Sequence, residues 1–259
     1  MDDQPVPGRR GVLKALTLGV PGAWAAGARA ATPAAAPGAT PDAAQPGAAA
    51  APGSAAGRTL KFFNAEEAAA VDAIVARLIP ADDLGPGAKE AGVTAFVDEQ
   101  LAGAWGAGDQ FYRQGPFEPG TPEQGYQLSF TPAEMMRRGL AALDAAARKQ
   151  DGKPYAELPP ERQDEWLRQM QAGKVDFSPL PSAVFFQALL EVTVEGFFAD
   201  PMYGGNADMV GWKLVGFPGA YASFSNDIER HGVPWDGQPV SIAMARPHGM
   251  HDAKGGSHG

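Results

Sequence analysis

The chain of 259 residues is 44% apolar and 20% charged, the composition of a globular protein rather than of a disordered or largely membrane-spanning one. It has no cysteine, which excludes disulfides, thiolate metal sites, iron–sulfur clusters and haem attached through Cys-x-x-Cys-His. The net charge is −9, and residues 1–30 carry four basic side chains against two acidic ones, so the remainder is more acidic still; such a surface repels phosphate backbones and argues against nucleic acid as a partner.

The first thirty residues read as an export signal. Arg9 and Arg10 precede a weakly apolar stretch from Val12 to Ala26, and Ala28-Arg29-Ala30 fits a small-residue cleavage site with cutting after Ala30. The pair with Leu13 and Lys14 resembles the twin-arginine consensus, from which Gly8 and Val12 depart. An ordinary secretory signal is the other reading. A membrane anchor needs about 20 continuous apolar residues, and Lys14, Pro21 and the glycines interrupt the run. Residues 31–58 are almost entirely Ala, Pro, Gly, Ser and Thr, with no large apolar side chains to offset the entropy of ordering, so a disordered linker is expected there.

From Lys61 the pattern turns helical. Asn64 and Glu67 have capping-box spacing, Val71, Ile74, Val75 and Leu78 share one face, and Pro80 stops the helix before a loop through Gly87. A second helix is predicted with Val93, Phe96, Val97 and Leu101 inward and Asp98 and Glu99 outward. Residues 103–130 form a long irregular segment rich in aromatic side chains, Trp105, Phe111 and Tyr112 among them. Thr131-Pro132-Ala133-Glu134 opens a third helix whose inner face is Met136, Leu140, Leu143 and Ala147. A fourth runs from about Pro160 to Gln171 with Trp166, Leu167 and Met170 inward. The fifth, Ser182 to Ala199, is apolar on nearly all sides except for a stripe of Gln187, Glu191 and Glu195, which predicts a central helix. No alternation supports a sheet. The expected fold is all-α, a single helical domain of about five main helices over residues 59–240, with a flexible histidine-containing tail over 241–259.

Beyond the fifth helix comes Asp200-Pro201-Met202-Tyr203-Gly204-Gly205-Asn206-Ala207-Asp208, then Trp212 and Gly216-Phe217-Pro218-Gly219. Pro201 forces a turn, the Gly-Gly-Asn triplet suits positive φ, and a short helix around Trp212 ends at Gly216. With the Phe-Phe-Ala-Asp that precedes it and the Ile79-Pro80-Ala81-Asp82-Asp83 turn, this stretch resembles the gluconate 2-dehydrogenase subunit 3 family, over roughly Phe62 to Pro234. The resemblance implies the small subunit of a periplasmic sugar or sugar-acid dehydrogenase, associated with the membrane through its partners. Those partners are a large flavoprotein carrying FAD and a multihaem cytochrome c; the small subunit is expected to hold no cofactor and often supplies the export signal for the flavoprotein.

Candidate chemistry within the chain is thin. Neither a dinucleotide fingerprint, a phosphate-binding loop nor a nucleophile elbow is present. Ser223, Ser225, Asp227 and His231 are close in sequence, which is not triad geometry, and a capped helix end explains them equally. Glu191 and Glu195 read either as an acid–base pair or as buried carboxylates held by Arg or Lys from a neighbouring helix. His248, His251 and His258, with Met244 and Met250, would suit a periplasmic metal or small-ligand binding protein, or a plain Gly/His-rich tail. Trp105, Phe111, Tyr112, Tyr203, Trp212 and Phe217 are the candidates for a partner interface, with packing of the domain's own core as the alternative for each.

Overall fold

The computed structural model describes residues 59–245, apart from 110, 112, 119, 122–126, 222–228, 230 and 234–236. Five helices of ten residues or more build the frame: α1 (Ala65–Leu78), α2 (Val93–Ala102), then, after the short α3 (Ala104–Ala107), α4 (Pro132–Asp151), α5 (Pro160–Gln171) and α6 (Ser182–Phe198). Two short helices follow, α7 (Val210–Val215) and α8 (Ile242–Ala245). Among the described residues there is no strand, only isolated bridges pairing Asp82 with Gly85 and Gly219 with Val240, so the all-α expectation holds.

Local chemistry sets the helix boundaries. Both capping boxes form reciprocally: the Asn64 side chain accepts the Glu67 N–H while Glu67 accepts the Asn64 N–H, and Thr131 and Glu134 repeat the arrangement at α4. Each satisfies two of the four N–H groups that a helix start leaves open, for about 1 kcal/mol per cap. Gly152, in the left-handed region, closes α4.

The predicted inner faces of α1, α4 and α5 are all buried, and Val71, Ile74, Leu143 and Met170 are wholly out of solvent. α6 packs against α1, α2, α4, α5 and α7, which makes it the central helix that its apolar composition predicts. Its approach to α4 is made close by Gly139, where an added Cβ would lie 2.3 Å from the ring of Phe185.

One expectation fails. Asp98 does not face outward but is 2% exposed. Its carboxylate accepts the backbone N–H groups of Lys61, Phe62 and Phe63 at 2.8, 3.0 and 2.8 Å, and so ties the segment before α1 onto α2. Three charge-assisted bonds offset the desolvation that keeps most carboxylates at the surface. Arg137 of α4 holds the same segment from the other side, through the Phe62 carbonyl and the face of its ring.

Candidate functional site

The conspicuous stretch after α6 is, first of all, a knot that finishes that helix. The last carbonyls of a helix have no partners within it. Here the Asn206 side-chain amide donates to the Ala199 carbonyl at 2.8 Å, and the Trp212 indole N–H donates to the Phe198 carbonyl at 2.8 Å. Asn206 is fully buried, adopts φ 48°, and also accepts the Gly211 N–H through its side-chain oxygen at 2.8 Å. Gly205 and Gly211 lie where any side chain would collide with α6, since a Cβ at either would meet the carbonyl oxygen of Gly196 or Phe197 at 2.2 Å.

Asp200 closes the knot. One carboxylate oxygen accepts the Met202 N–H at 2.9 Å and starts the 3-10 turn Pro201–Tyr203; the other accepts the Ile242 N–H at 2.7 Å and holds the start of α8. Val240 is bonded between Pro218 and Ala220, its N–H donating to the Pro218 carbonyl at 3.0 Å and its carbonyl accepting the Ala220 N–H at 2.7 Å. Sequence reasoning reached the stretch but not these assignments: Asn206 reads as a turn residue, and nothing local marks Asp200 as a tie to a residue 42 positions away. The Asp-Pro pair was the signal available, since an Asp before a tight turn commonly accepts the N–H two residues on.

Several large apolar side chains stand exposed on the segments of this knot, among polar ones such as Asp208 and Lys213. Ten large hydrophobic side chains stand exposed among the described residues, and six of them, Met202, Tyr203, Val215, Phe217, Ile242 and Met244, belong to it. Ile242 and Met244 lie in the segment that sequence alone assigns to a flexible tail. A groove of about 400 Å³ opens beside Met202 and Tyr203, walled on the other side by Glu99 and Gln100 of α2. Apolar surface gathered in this way marks contact sites, whereas single exposed side chains are ordinary.

The interface candidates divide. Tyr203 is 50% and Phe217 46% exposed, whereas Trp212 is 6% exposed and packs edge-on against Phe217 with ring centroids 5.1 Å apart. Its indole is thus part of the domain's own packing. Phe111 is exposed and Trp105 half-buried, in and just after α3. Tyr112 lies outside the described residues, as do Arg9, Arg10, Leu13, Lys14, Ala28 and Ala30 of the signal, the linker, and His248, Met250, His251 and His258 of the tail.

Ser223, Ser225 and Asp227 lie outside the described residues, and His231 is exposed. Glu191 and Glu195 are not buried beside cations but face solvent with Gln187, whose amide donates to Glu191 at 2.8 Å. Partial burial, and then the neighbouring Glu191, push the Glu195 carboxyl above the ordinary glutamate value. Asp82 serves its loop by accepting the Leu84 N–H at 2.9 Å. No group of three or more His, Cys, Asp or Glu side chains is placed to hold a metal ion among the described residues, and no helix there is long and apolar enough to cross a membrane.

The fold and the knot together define a small helical protein in which six of the ten exposed large hydrophobic side chains among the described residues stand on the segments of the knot. The model of the gluconate 2-dehydrogenase subunit 3 family matches residues 65–219, from the first residue of α1 to the bridge at Gly219, and the chain belongs to that family. Its family description makes it a subunit of a gluconate 2-dehydrogenase, which implies partner subunits. No curated protein and no solved structure matches the chain.

Proposed function

We infer that the chain is a non-catalytic accessory subunit of a periplasmic, FAD-dependent gluconate or sugar dehydrogenase complex. It stabilises the large flavoprotein subunit and escorts it through twin-arginine export. FAD belongs to that partner and haem c to a multihaem cytochrome subunit; association with the membrane runs through the partners. The observation that carries this reading is the gathering of Met202, Tyr203, Val215, Phe217, Ile242 and Met244 in solvent around one knot, a surface with the side-chain chemistry of a subunit contact.

Escort has an argument of its own. The twin-arginine route carries folded proteins, which matters most when a cofactor is inserted before export. A chain that carries such a signal while serving a flavoprotein explains how the partner travels loaded. Replacement of Arg9 and Arg10 by Lys tests this by cell fractionation: the flavoprotein is expected to stay in the cytoplasm together with the variant. Its arrival in the periplasm without this chain would contradict escort.

A further inference from the structure

Residues 238–244 return to the knot and are tied to it chiefly through the backbone. The Val240 N–H donates to the Pro218 carbonyl at 3.0 Å, and the Val240 carbonyl accepts the Ala220 N–H at 2.7 Å. The Tyr221 hydroxyl donates to the Gln238 carbonyl at 2.8 Å, and the Ile242 N–H donates to the Asp200 carboxylate at 2.7 Å. Ser241 gives the segment a structure of its own. Its hydroxyl accepts the Ala243 N–H at 3.1 Å and its carbonyl the Met244 N–H at 3.0 Å, which starts α8. Pro239 and Ser241 are buried, but the larger Ile242 and Met244 are exposed, and α8 makes no extensive packing with another helix. Attachment by hydrogen bonds with little apolar burial is what lets one part of a protein open while the rest stays folded.

The seat of this segment is Gly219. It has φ 81°, and a Cβ there would lie 2.2 Å from the Val240 carbonyl oxygen, 2.8 Å from the Val240 nitrogen and 2.9 Å from the Trp212 ring. The Val240 backbone closes onto the knot because position 219 carries no side chain. Gly216 is the natural comparison: its φ is 70°, but a Cβ there would meet nothing within 4 Å. Asp200, Pro218 and Gly219 fall inside the residues 65–219 that the family model matches, and the returning segment falls beyond them.

We propose that residues 238–244 are a latch, which closes on the family's region at Gly219 and opens as a unit while the helical frame stays folded. Closed, it pairs the Pro218 carbonyl, the Ala220 N–H and one Asp200 oxygen within the chain. Open, it releases an acceptor, a donor and a carboxylate, the kind of backbone edge on which an extended segment of another chain is held. The latch sets whether that edge is occupied from within the chain or open to a partner. It does not rest on the accessory-subunit reading.

The test reads amide exchange residue by residue, by NMR, in the full exported chain. In the parent chain the Val240 and Ile242 amides are expected to exchange at least about a hundredfold faster than those around Leu189 in α6, at a rate that low urea leaves unchanged, because a local opening exposes little surface. Gly219→Ala is expected to speed both amides about tenfold or more while protection in α6 stays as it was. Gly216→Ala, which places a side chain at a comparable φ without meeting Val240, is expected to leave both amides as in the parent chain. Exchange of Val240 and Ile242 only together with α6, with the same response to urea, would overturn the latch. Loss of α6 protection in Gly219→Ala would do so too, by making the segment part of the frame. Equal effects of the two glycine substitutions on these amides would overturn Gly219 as the seat.

Discussion

A carboxylate that accepts three buried N–H groups cannot be shortened without leaving donors behind, and Asp98 is in that position. Hydrogen bonds to charged acceptors contribute about 1.5–3 kcal/mol each in favourable settings, and a buried donor left alone costs about 1–3 kcal/mol. Asp98→Ala is therefore expected to lose roughly 3 kcal/mol of stability by denaturant titration, far more than a surface substitution, and to free the segment at Lys61–Phe63 for proteolysis. A loss under about 0.5 kcal/mol would mean that these bonds do not hold the segment. Asp98 is also the residue that sequence reading placed on the wrong side of α2. Its partners lie 35 to 37 residues earlier, so no periodicity within the helix could reveal that one acid of the pair turns inward while Glu99 stays out.

At the scale of elements, the contact between α4 and α6 depends on absence of a side chain. Alanine is preferred over glycine within a helix by about 1 kcal/mol, so Gly139→Ala would stabilise an isolated α4. In the folded protein the new Cβ meets the ring of Phe185, which is wholly buried, and overpacking costs about 1–3 kcal/mol. Packing outweighs propensity here, and a net loss of roughly 1–2 kcal/mol is expected by denaturant titration. A gain would show that the two helices can slide apart freely.

The open stripe of α6 gives a prediction of opposite sign. Burial, and then Glu191, hold the Glu195 carboxyl above its ordinary value. A group whose folded value is raised favours the folded state while protonated, and that contribution disappears as pH rises through the folded value. At neutral pH the ionised Glu195 therefore weighs against folding. Glu195→Gln is expected to raise the unfolding midpoint at about pH 7 and to leave it unchanged at about pH 3, where both residues are neutral. An equal shift at both pH values would exclude a charge effect.

Most of these elements were readable from sequence because their signals are local. Asn64 with Glu67 and Thr131 with Glu134 announce two helix starts, and the inner faces of α1, α4 and α5 follow the 3.6-residue period. The exposed apolar side chains of the knot were readable only as a stretch. That Trp212 and Asn206 finish α6, and that the Ile242 N–H returns to the Asp200 carboxylate that also accepts the Met202 N–H, depends on contacts across many residues that no short window contains.

For the molecule as a whole, the helical frame and the family of residues 65–219 make it a subunit of a gluconate 2-dehydrogenase, and the proposed role for it is work done by contact. In the proposed reading a flavin-carrying partner occupies the knot. The most direct test is gentle isolation of the chain from its native envelope fraction, followed by a visible spectrum and the composition of the preparation. A large yellow partner with flavin absorbance is expected, with haem bands when the cytochrome is retained. A colourless chain that remains solitary under mild conditions would contradict it.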